Sequence, residues 1–468
     1  MKTNRLYNFF KSSIIYAFGT IGCKLVSFLL LPLNTANLTP AEYGTADLII
    51  VIVSLLLPIS TLEVGTGVYK FLLSDQKETR EEVITNGILL LLISTSIISL
   101  ITLMISNLMN LDYGNLLFIL VFVGSFRVSL LPISRGLNFS KNYAISGIIS
   151  TIVTVLTNIF LIKYTSLRVE AILLASTFAD ISLSIYLICS TKLLKYIKFN
   201  LINFEIIKAL LKFSVPIIPN SFSWWIDNSL AKVILNRNYG ERENGYLAVA
   251  QKFPNLFNSL FSVLSLAWND VTIKDENSED KTIFQSTFMS EMLFMIMQIL
   301  ILAIIGIKIV YPFLIDERYY ISLKYVPVFL IATAISSYAD LFTSFFLSSG
   351  NTKFISLTSL SSSLVGLLFS IFFIPIFGIW GMAISLLTSK LLVFISRLWI
   401  IQKNYFVIKF GIKHLIMAMF LTFIVFQYYL VKSYALEIIL FILVMAILLV
   451  LNREKIKMLL RFLKGENK

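Results

Sequence analysis

The chain has 468 residues, of which 57% are hydrophobic and 14% are charged, and its mean hydropathy is +0.85. Soluble proteins are usually about 25% charged and about 45–50% apolar, so this composition excludes a soluble globular protein. The formal net charge of +13 would suggest a nucleic-acid partner in a soluble protein, but in a membrane protein Lys and Arg collect in the inner loops, so no nucleic acid is expected.

The apolar segments, taken in chain order, predict membrane-spanning helices. About fourteen segments are long enough to cross a hydrocarbon core of about 30 Å, and they are far longer than the strands of a membrane β-barrel. The predicted spans are 10–33, 45–69, 83–108, 114–134, 144–164, 169–191, 209–235, 245–269, 286–314, 326–349, 354–377, 379–401, 412–431 and 434–451. The predicted fold class is therefore an all-α polytopic membrane protein, with an uncleaved first span.

The distribution of basic residues predicts the orientation of these spans. With the N-terminus in the cytoplasm, the inner segments hold roughly 26 of the 39 Lys and Arg residues, and the outer loops hold about 7. Both termini are therefore expected to be cytoplasmic. The richest inner stretches are Lys192–Lys212, Arg397–Lys413 and Arg453–Lys468, and Leu193–Phe213 has the pattern of a basic amphipathic segment lying on the inner membrane face.

Short motifs recur between the two halves of the chain, at an offset of about 200–210 residues. The matching pairs are Phe9–Gly19 with Leu211–Ser221, Tyr43-Gly44 with Gly245-Tyr246, and Gly136–Gly147 with Leu347–Ser359. An offset of six helices preserves direction and predicts a parallel pseudo-repeat of two six-helix lobes, an arrangement that transporters use to hold substrate between lobes. The predicted domains are an N-lobe (1–191), a cytoplasmic amphipathic linker (192–208), a C-lobe (209–402), and two further helices with a basic tail (403–468).

Charged side chains inside the predicted spans are the candidate functional residues, because a charge at mid-membrane depth is costly. Lys24 lies on a polar stripe of the first span, and Arg127 and Lys252 lie on similar stripes of the fourth and eighth spans. Acidic residues also lie in spans. A wet cavity with this basic balance would favour an anionic substrate. The alternative is that these charges pair with one another and only hold helices together.

Several stretches resemble the Wzx-type polysaccharide flippases of the MOP exporter superfamily, which also contains the MATE drug exporters and the lipid II flippase. The strongest match is Ser214–Phe253, with its Pro pair, its Trp residues and its short Gly loop; Leu30–Leu48 and Ile374–Leu392 also match. The resemblance covers about 80% of the chain. It departs after Asn228-Ser229, where family members often carry Asp-Arg and this chain has Leu-Ala-Lys.

The resemblance implies a non-enzymatic flippase without a cofactor, which moves polyprenyl-diphosphate-linked oligosaccharide repeat units across the bacterial cytoplasmic membrane. Membrane lipids, a polysaccharide polymerase and other assembly proteins are the implied partners, and the implied state is a monomer. For this substrate, the expected diphosphate-binding residues are Lys24, Arg127, Lys252 and Lys232. The residues expected to bind sugar hydroxyls or to couple an ion are Asp180, Asp227, Asp340 and Glu63. Trp224 and Trp225 are expected either to stack on sugars or to lie in the core.

Other functions stay open at this stage. A lipid II-type precursor flippase would need the same cationic cavity, whereas a MATE-like cation or drug antiporter would depend mainly on carboxylates. A glycan polymerase would need a large outer loop, and a scaffold would not need charges in its spans. With one His and two Cys in the chain, no metal site is expected.

Overall fold

The structure is a computed structural model, which describes residues 28, 30–73, 79–225, 229–274, 281–348, 351, 353–431 and 433–453. Regular structure within these residues is helical, with no strand. Eleven helices of this part of the chain are long and apolar enough to cross a membrane. The predicted all-α polytopic fold is therefore confirmed. The first predicted span, which contains Lys24, lies almost entirely outside the described residues.

Contacts divide the chain into two compact units, one within Leu25–Gly245 and one within Tyr246–Lys468. The first unit contains α1 (Leu31–Asn37), α2 (Pro40–Thr61), α3 (Val64–Leu73), α4 (Arg80–Leu108), α5 (Gly114–Gly136), α6 (Ser140–Tyr164), α7 (Val169–Ser190), α8 (Phe204–Ser214), α9 (Ile218–Trp225), α10 (Ala231–Tyr239) and the first turn of α11 (Glu241–Lys274). The predicted seventh span, 209–235, thus consists of shorter helices that belong to the first unit. The predicted lobe limits stay a prediction.

Threonine caps determine where two helices of the first unit begin. The Thr39 hydroxyl accepts the Glu42 N–H at 3.3 Å, and the Glu42 carboxylate accepts the Thr39 backbone N–H at 2.7 Å. The same reciprocal pair joins Thr79 and Glu82 at the start of α4. Each cap satisfies backbone N–H groups that have no partner within the helix. The helix α2 therefore starts five residues before the predicted span, and α4 starts three residues before it.

Two apolar clusters form the core of the first unit. One lies among α3, α4 and α5 and includes the buried Val68, Ile84 and Ile133. The other lies among α2, α5 and α7 and includes Val121 and Leu173. Both clusters include residues of α5 and α7, so these two helices lie at the centre of the unit.

The second unit contains the rest of α11 and the helices that follow it. These are α12 (Lys281–Leu314), α13 (Val326–Leu341), α14 (Thr343–Ser348), α15 (Lys353–Phe377), α16 (Ile379–Asn404), α17 (Ile412–Leu430) and α18 (Tyr434–Leu451). Aromatic rings join α11 to α12, since the Trp268 ring stacks on Phe288 with centroids 3.7 Å apart and an interplanar angle of 4°. Contacts between aromatic rings add to the energy of burial.

The last two helices, α17 and α18, are fixed to α12 near both of their ends. At one end the Lys308 ammonium donates to Glu437 Oε1 at 2.6 Å and to the Tyr428 carbonyl at 2.7 Å. At the other end Asn452 Nδ2 donates to Gln298 Oε1 at 2.9 Å. The helices predicted to lie outside the repeat are therefore an integral part of the second unit.

Candidate functional site

An ion pair lies between the central helix α5 and α7. Arg127 Nε is 2.9 Å from Asp180 Oδ1, and the two side chains are 34% and 17% exposed. The contact is an ion pair without a linear hydrogen bond, because the Nε–H has no acceptor in hydrogen-bonding geometry. Gly124 of α5 lies beside this carboxylate, since a Cβ there would be in van der Waals contact with Asp180 Oδ2 at 3.6 Å. The structure therefore brings together two residues that were predicted separately.

The same unit contains a broken helix with a carboxylate at the break. The predicted span 45–69 is interrupted between α2 and α3, where Leu62 and Glu63 both have left-handed backbone conformations, with φ of 49° and 53°. This conformation is rare for residues other than glycine and is associated with functional sites. Glu63 Oε1 accepts the Ser221 hydroxyl of α9 at 2.7 Å, and Oε2 accepts the Thr66 hydroxyl at 3.2 Å. Transporter helices are often broken where they hold substrates or ions.

The helices α9 and α10 join α2 through two polar contacts. Lys232 Nζ is 2.7 Å from Asp47 Oδ2, with side chains 12% and 20% exposed. Trp225 is buried and donates its indole N–H to the Val51 carbonyl at 3.1 Å. The sequence prediction missed Asp47, which lies close to the start of a predicted span. The position of Trp225 corresponds to the core alternative, and a contact with sugar stays a prediction.

Asp340 lies in the second unit, beside a buried arginine. Arg397 of α16 is 3% exposed, and its NH1 donates to Asp340 Oδ1 at 3.1 Å and to the Ala339 carbonyl at 2.9 Å. The remaining donors bind α15, with Nε 3.2 Å from Thr358 Oγ1 and NH2 3.0 Å from Ser359 Oγ. The sequence places Arg397 near the end of the predicted span 379–401 and as the first residue of a basic inner stretch. The structure buries its side chain inside the unit, where it connects three helices.

The other predicted site residues are located as follows. Lys252 lies on α11 and is partly buried. Lys24 and Asp227 lie outside the described residues, as does the side chain of Trp224. Within the described part of the chain, no group of three His, Cys, Asp or Glu residues has the arrangement of a metal site. The expectation that the chain needs no metal or cofactor stays an expectation.

The Lys232–Asp47 pair allows a test of how such contacts stabilise the first unit. Lys232→Met is expected to lower the melting temperature, because it leaves the Asp47 carboxylate without its partner. The double variant with Asp47→Asn is expected to recover part of the loss, with a coupling of about 1–3 kcal/mol. Thermal unfolding in detergent measures both effects.

The matched control is the exposed pair of Lys198 and Glu81, whose side chains are 46% and 37% exposed. Lys198→Met is expected to change stability by less than about 1 kcal/mol, because exposed pairs contribute little. Equal losses for Lys198→Met and Lys232→Met would contradict a specific role for the Lys232–Asp47 pair.

Comparisons with known proteins give a family match and several solved structures of similar fold. The family described as "Polysaccharide biosynthesis protein" matches residues 9–268. No curated protein matches the chain. The lipid II flippase MurJ in an inward closed conformation has a TM-score of 0.69 and 16% identity, over 95% of this chain and 100% of MurJ.

Transporters of the multidrug resistance MATE family are also similar. An inward-facing conformation has a TM-score of 0.64 and 13% identity, over 86% of this chain and 95% of the transporter. An outward-facing conformation has a TM-score of 0.56 and 16% identity, over 89% and 96% of the two chains. Identities this low establish the fold alone, and the predicted MATE/MOP-like fold is confirmed.

Proposed function

The chain belongs to the polysaccharide biosynthesis family, and on this premise we propose that it is a flippase for lipid-linked oligosaccharides. The family membership and the MOP fold together confirm the resemblance to Wzx-type flippases that the sequence motifs indicated. The observation that carries the proposal is that this chain combines membership of a polysaccharide biosynthesis family with the fold of a membrane transporter. The finer substrate is a polyprenyl-diphosphate-linked repeat unit, carried from the inner to the outer leaflet of the bacterial cytoplasmic membrane.

Arg127 is the residue best arranged to bind the diphosphate. A guanidinium has five N–H donors, and in the described structure only the Nε side of Arg127 has a partner, Asp180. The two terminal amino groups are therefore open to a ligand, and the side chain is 34% exposed. Two parallel N–H groups match the geometry of phosphate oxygens. In this proposal Asp180 holds the guanidinium in place, and the diphosphate binds its free side.

Lys24, Lys252 and Lys232 stay predicted diphosphate-binding residues, and the Lys232 ammonium pairs with Asp47 at 2.7 Å. Glu63 and Asp340 would bind sugar hydroxyls or a coupling ion. The predicted pseudo-repeat supports transport by alternating access of two lobes. An inside-negative membrane potential favours outward movement of the anionic head by about 2.3 kcal/mol per charge per 100 mV.

Deletion of the gene tests the function directly. We expect loss of surface polysaccharide and accumulation of lipid-linked repeat units on the inner leaflet, because the units are made inside and polymerised outside. Complementation with Arg127→Ala is expected to lower transport about tenfold or more, since hydrogen bonds to charged groups contribute about 1.5–3 kcal/mol. Polymer yield and the accumulated precursor are the two measurements.

The outcomes separate the function from the role of Arg127. Normal polymer in the deletion strain would reject the polysaccharide flippase, and a block in peptidoglycan synthesis instead would favour a lipid II-type substrate. Full complementation by Arg127→Ala at equal expression would reject only the assignment of the diphosphate to Arg127. The control is Lys163→Ala, which changes an exposed cation at the end of α6 and is expected to complement fully.

A further inference from the structure

The segment between α7 and α8 exposes large apolar side chains outside the candidate spans. Leu194, Phe199 and Phe204 are 70%, 76% and 77% exposed, and Ile202 is 47% exposed. Leu194 and Phe199 lie in two short 3-10 helices, Leu193–Tyr196 and Phe199–Leu201, Ile202 follows the second of them, and Phe204 begins α8. Clustered apolar side chains that project from a fold usually mark a contact with a membrane or a partner.

Lysines accompany these apolar side chains. Between Thr191 and Phe213 the chain has five lysines and one acidic residue, Glu205. The lysines are Lys192, Lys195, Lys198, Lys208 and Lys212, and all five are exposed. The surface that combines them with the four apolar side chains is called the linker surface below. Lys198 pairs with Glu81, and the other four lysines still outnumber Glu205, so the balance of charge fits an anionic partner.

Hydrogen bonds fix the linker surface to the start of the span α4. Thr85 Oγ1 donates to the Tyr196 carbonyl at 3.1 Å and accepts the Lys198 N–H at 2.9 Å. Asn86 Nδ2 donates to the Leu201 carbonyl at 3.0 Å, and its Oδ1 accepts the Asn203 N–H at 2.8 Å. Both anchoring side chains are buried.

These contacts hold the segment at the level of a span end. It also follows directly after α7, which ends at Ser190. A backbone fixed at that level places its exposed side chains at the boundary between the hydrocarbon and the headgroups. This is the depth at which amphipathic segments bind a bilayer.

We propose that the linker surface binds the headgroups of anionic phospholipids. Phe199, Phe204 and Leu194 insert beside the acyl chains, and the lysines contact the headgroup phosphates. An acidic protein would satisfy the lysines, but it would leave unexplained why the apolar side chains lie at the depth of the membrane boundary. The inference is independent of the transported substrate, because it depends only on this surface and its attachment to α4.

Fluorescence quenching by brominated lipids tests the proposal. Phe199→Trp is placed in nanodiscs that contain either brominated phosphatidylglycerol or brominated phosphatidylcholine at equal mole fraction, and the signal of the five native tryptophans is subtracted with the parent protein. We expect about twofold stronger quenching by the anionic lipid, because the lysines enrich it next to the label. When the protein with Phe199→Trp also carries Lys192→Gln, Lys195→Gln and Lys208→Gln, the two lipids are expected to quench its fluorescence equally.

The control removes three exposed lysines from other parts of the chain, with Lys163→Gln, Lys353→Gln and Lys409→Gln, and it is expected to keep the preference. Equal quenching by the two lipids in the parent background would overturn the selectivity for anionic headgroups. Quenching by aqueous iodide instead of by either lipid would place Phe199 in water, and it would overturn the proposal in favour of a soluble partner.

Discussion

Replacement of Gly245 or Gly44 by alanine is expected to separate the starts of α2 and α11 and to lower transport about 5- to 150-fold. A Cβ on Gly245 would lie 1.8 Å from the Pro40 carbonyl oxygen, and one on Gly44 would lie 2.0 Å from the Glu241 carbonyl oxygen. Both clashes are with backbone, so no flexible side chain can move away. Overpacking of this kind costs about 1–3 kcal/mol. A free-energy change of that size corresponds to a factor of about 5 to 150, which is the expected loss of transport.

The polar contact at this crossing adds to the expected loss. Asn244 is fully buried, and its Nδ2 donates to the Gly44 carbonyl at 3.0 Å. Separation of the helices would leave this buried amide without an acceptor, which is costly. Alanine has a higher helix propensity than glycine, so the substitution itself does not weaken either helix. A loss of transport would therefore come from the clash at the crossing.

Transport in cells and the distance between spin labels on Ala41 and Glu241 measure the two effects. Both glycine variants are expected to lengthen that distance. The matched control is Gly147→Ala on α6, because a Cβ there has no neighbour within 4 Å. Parental transport and an unchanged label distance in both glycine variants would show that the crossing is dispensable.

The predicted spans and many of their polar residues agree with the structure because hydrophobicity and helical period are local properties. Asp180 was predicted from its position among serines of one span, and it does lie on α7. Its partner Arg127 is 53 residues earlier in the chain, and a pairing over that distance depends on how helices pack. The matched dipeptides Tyr43-Gly44 and Gly245-Tyr246 were identified as repeated motifs. The structure places both near the starts of helices, where the glycines meet.

Two features of the site had no clear local signal. The break at Leu62 and Glu63 interrupts a continuous apolar segment, and Pro58, inside α2, lies only four residues before it. Arg397 resembled an inner loop charge because it precedes further basic residues. The helix α16 continues to Asn404, so residue 397 is inside the unit, and acceptors from α13 and α15 stabilise it there.

Replacement of Arg397 is expected to destabilise the protein strongly, whereas replacement of its partner Asp340 is not. Arg397→Met removes four hydrogen bonds to two helices, and hydrogen bonds to charged groups contribute about 1.5–3 kcal/mol each. The Asp340 side chain is 50% exposed, so solvent or headgroups can replace its contact. Asp340→Asn keeps an oxygen acceptor for NH1 and is expected to cost less than about 1 kcal/mol. Thermal unfolding in detergent measures the difference.

This asymmetry separates a structural role for Asp340 from a functional one. If Asp340 binds sugar or a coupling ion, Asp340→Asn will lower transport while the melting temperature stays near that of the parent protein. Arg397→Lys keeps the charge but not the planar fork that reaches both α13 and α15, so it is expected to recover little of the stability. The exposed Arg318, paired with Asp316 at 2.7 Å, supplies the control, and Arg318→Gln is expected to change stability by less than about 1 kcal/mol. Equal destabilisation by Arg397→Met and Asp340→Asn would instead mean that the ion pair, and not the arginine fork, holds these helices together.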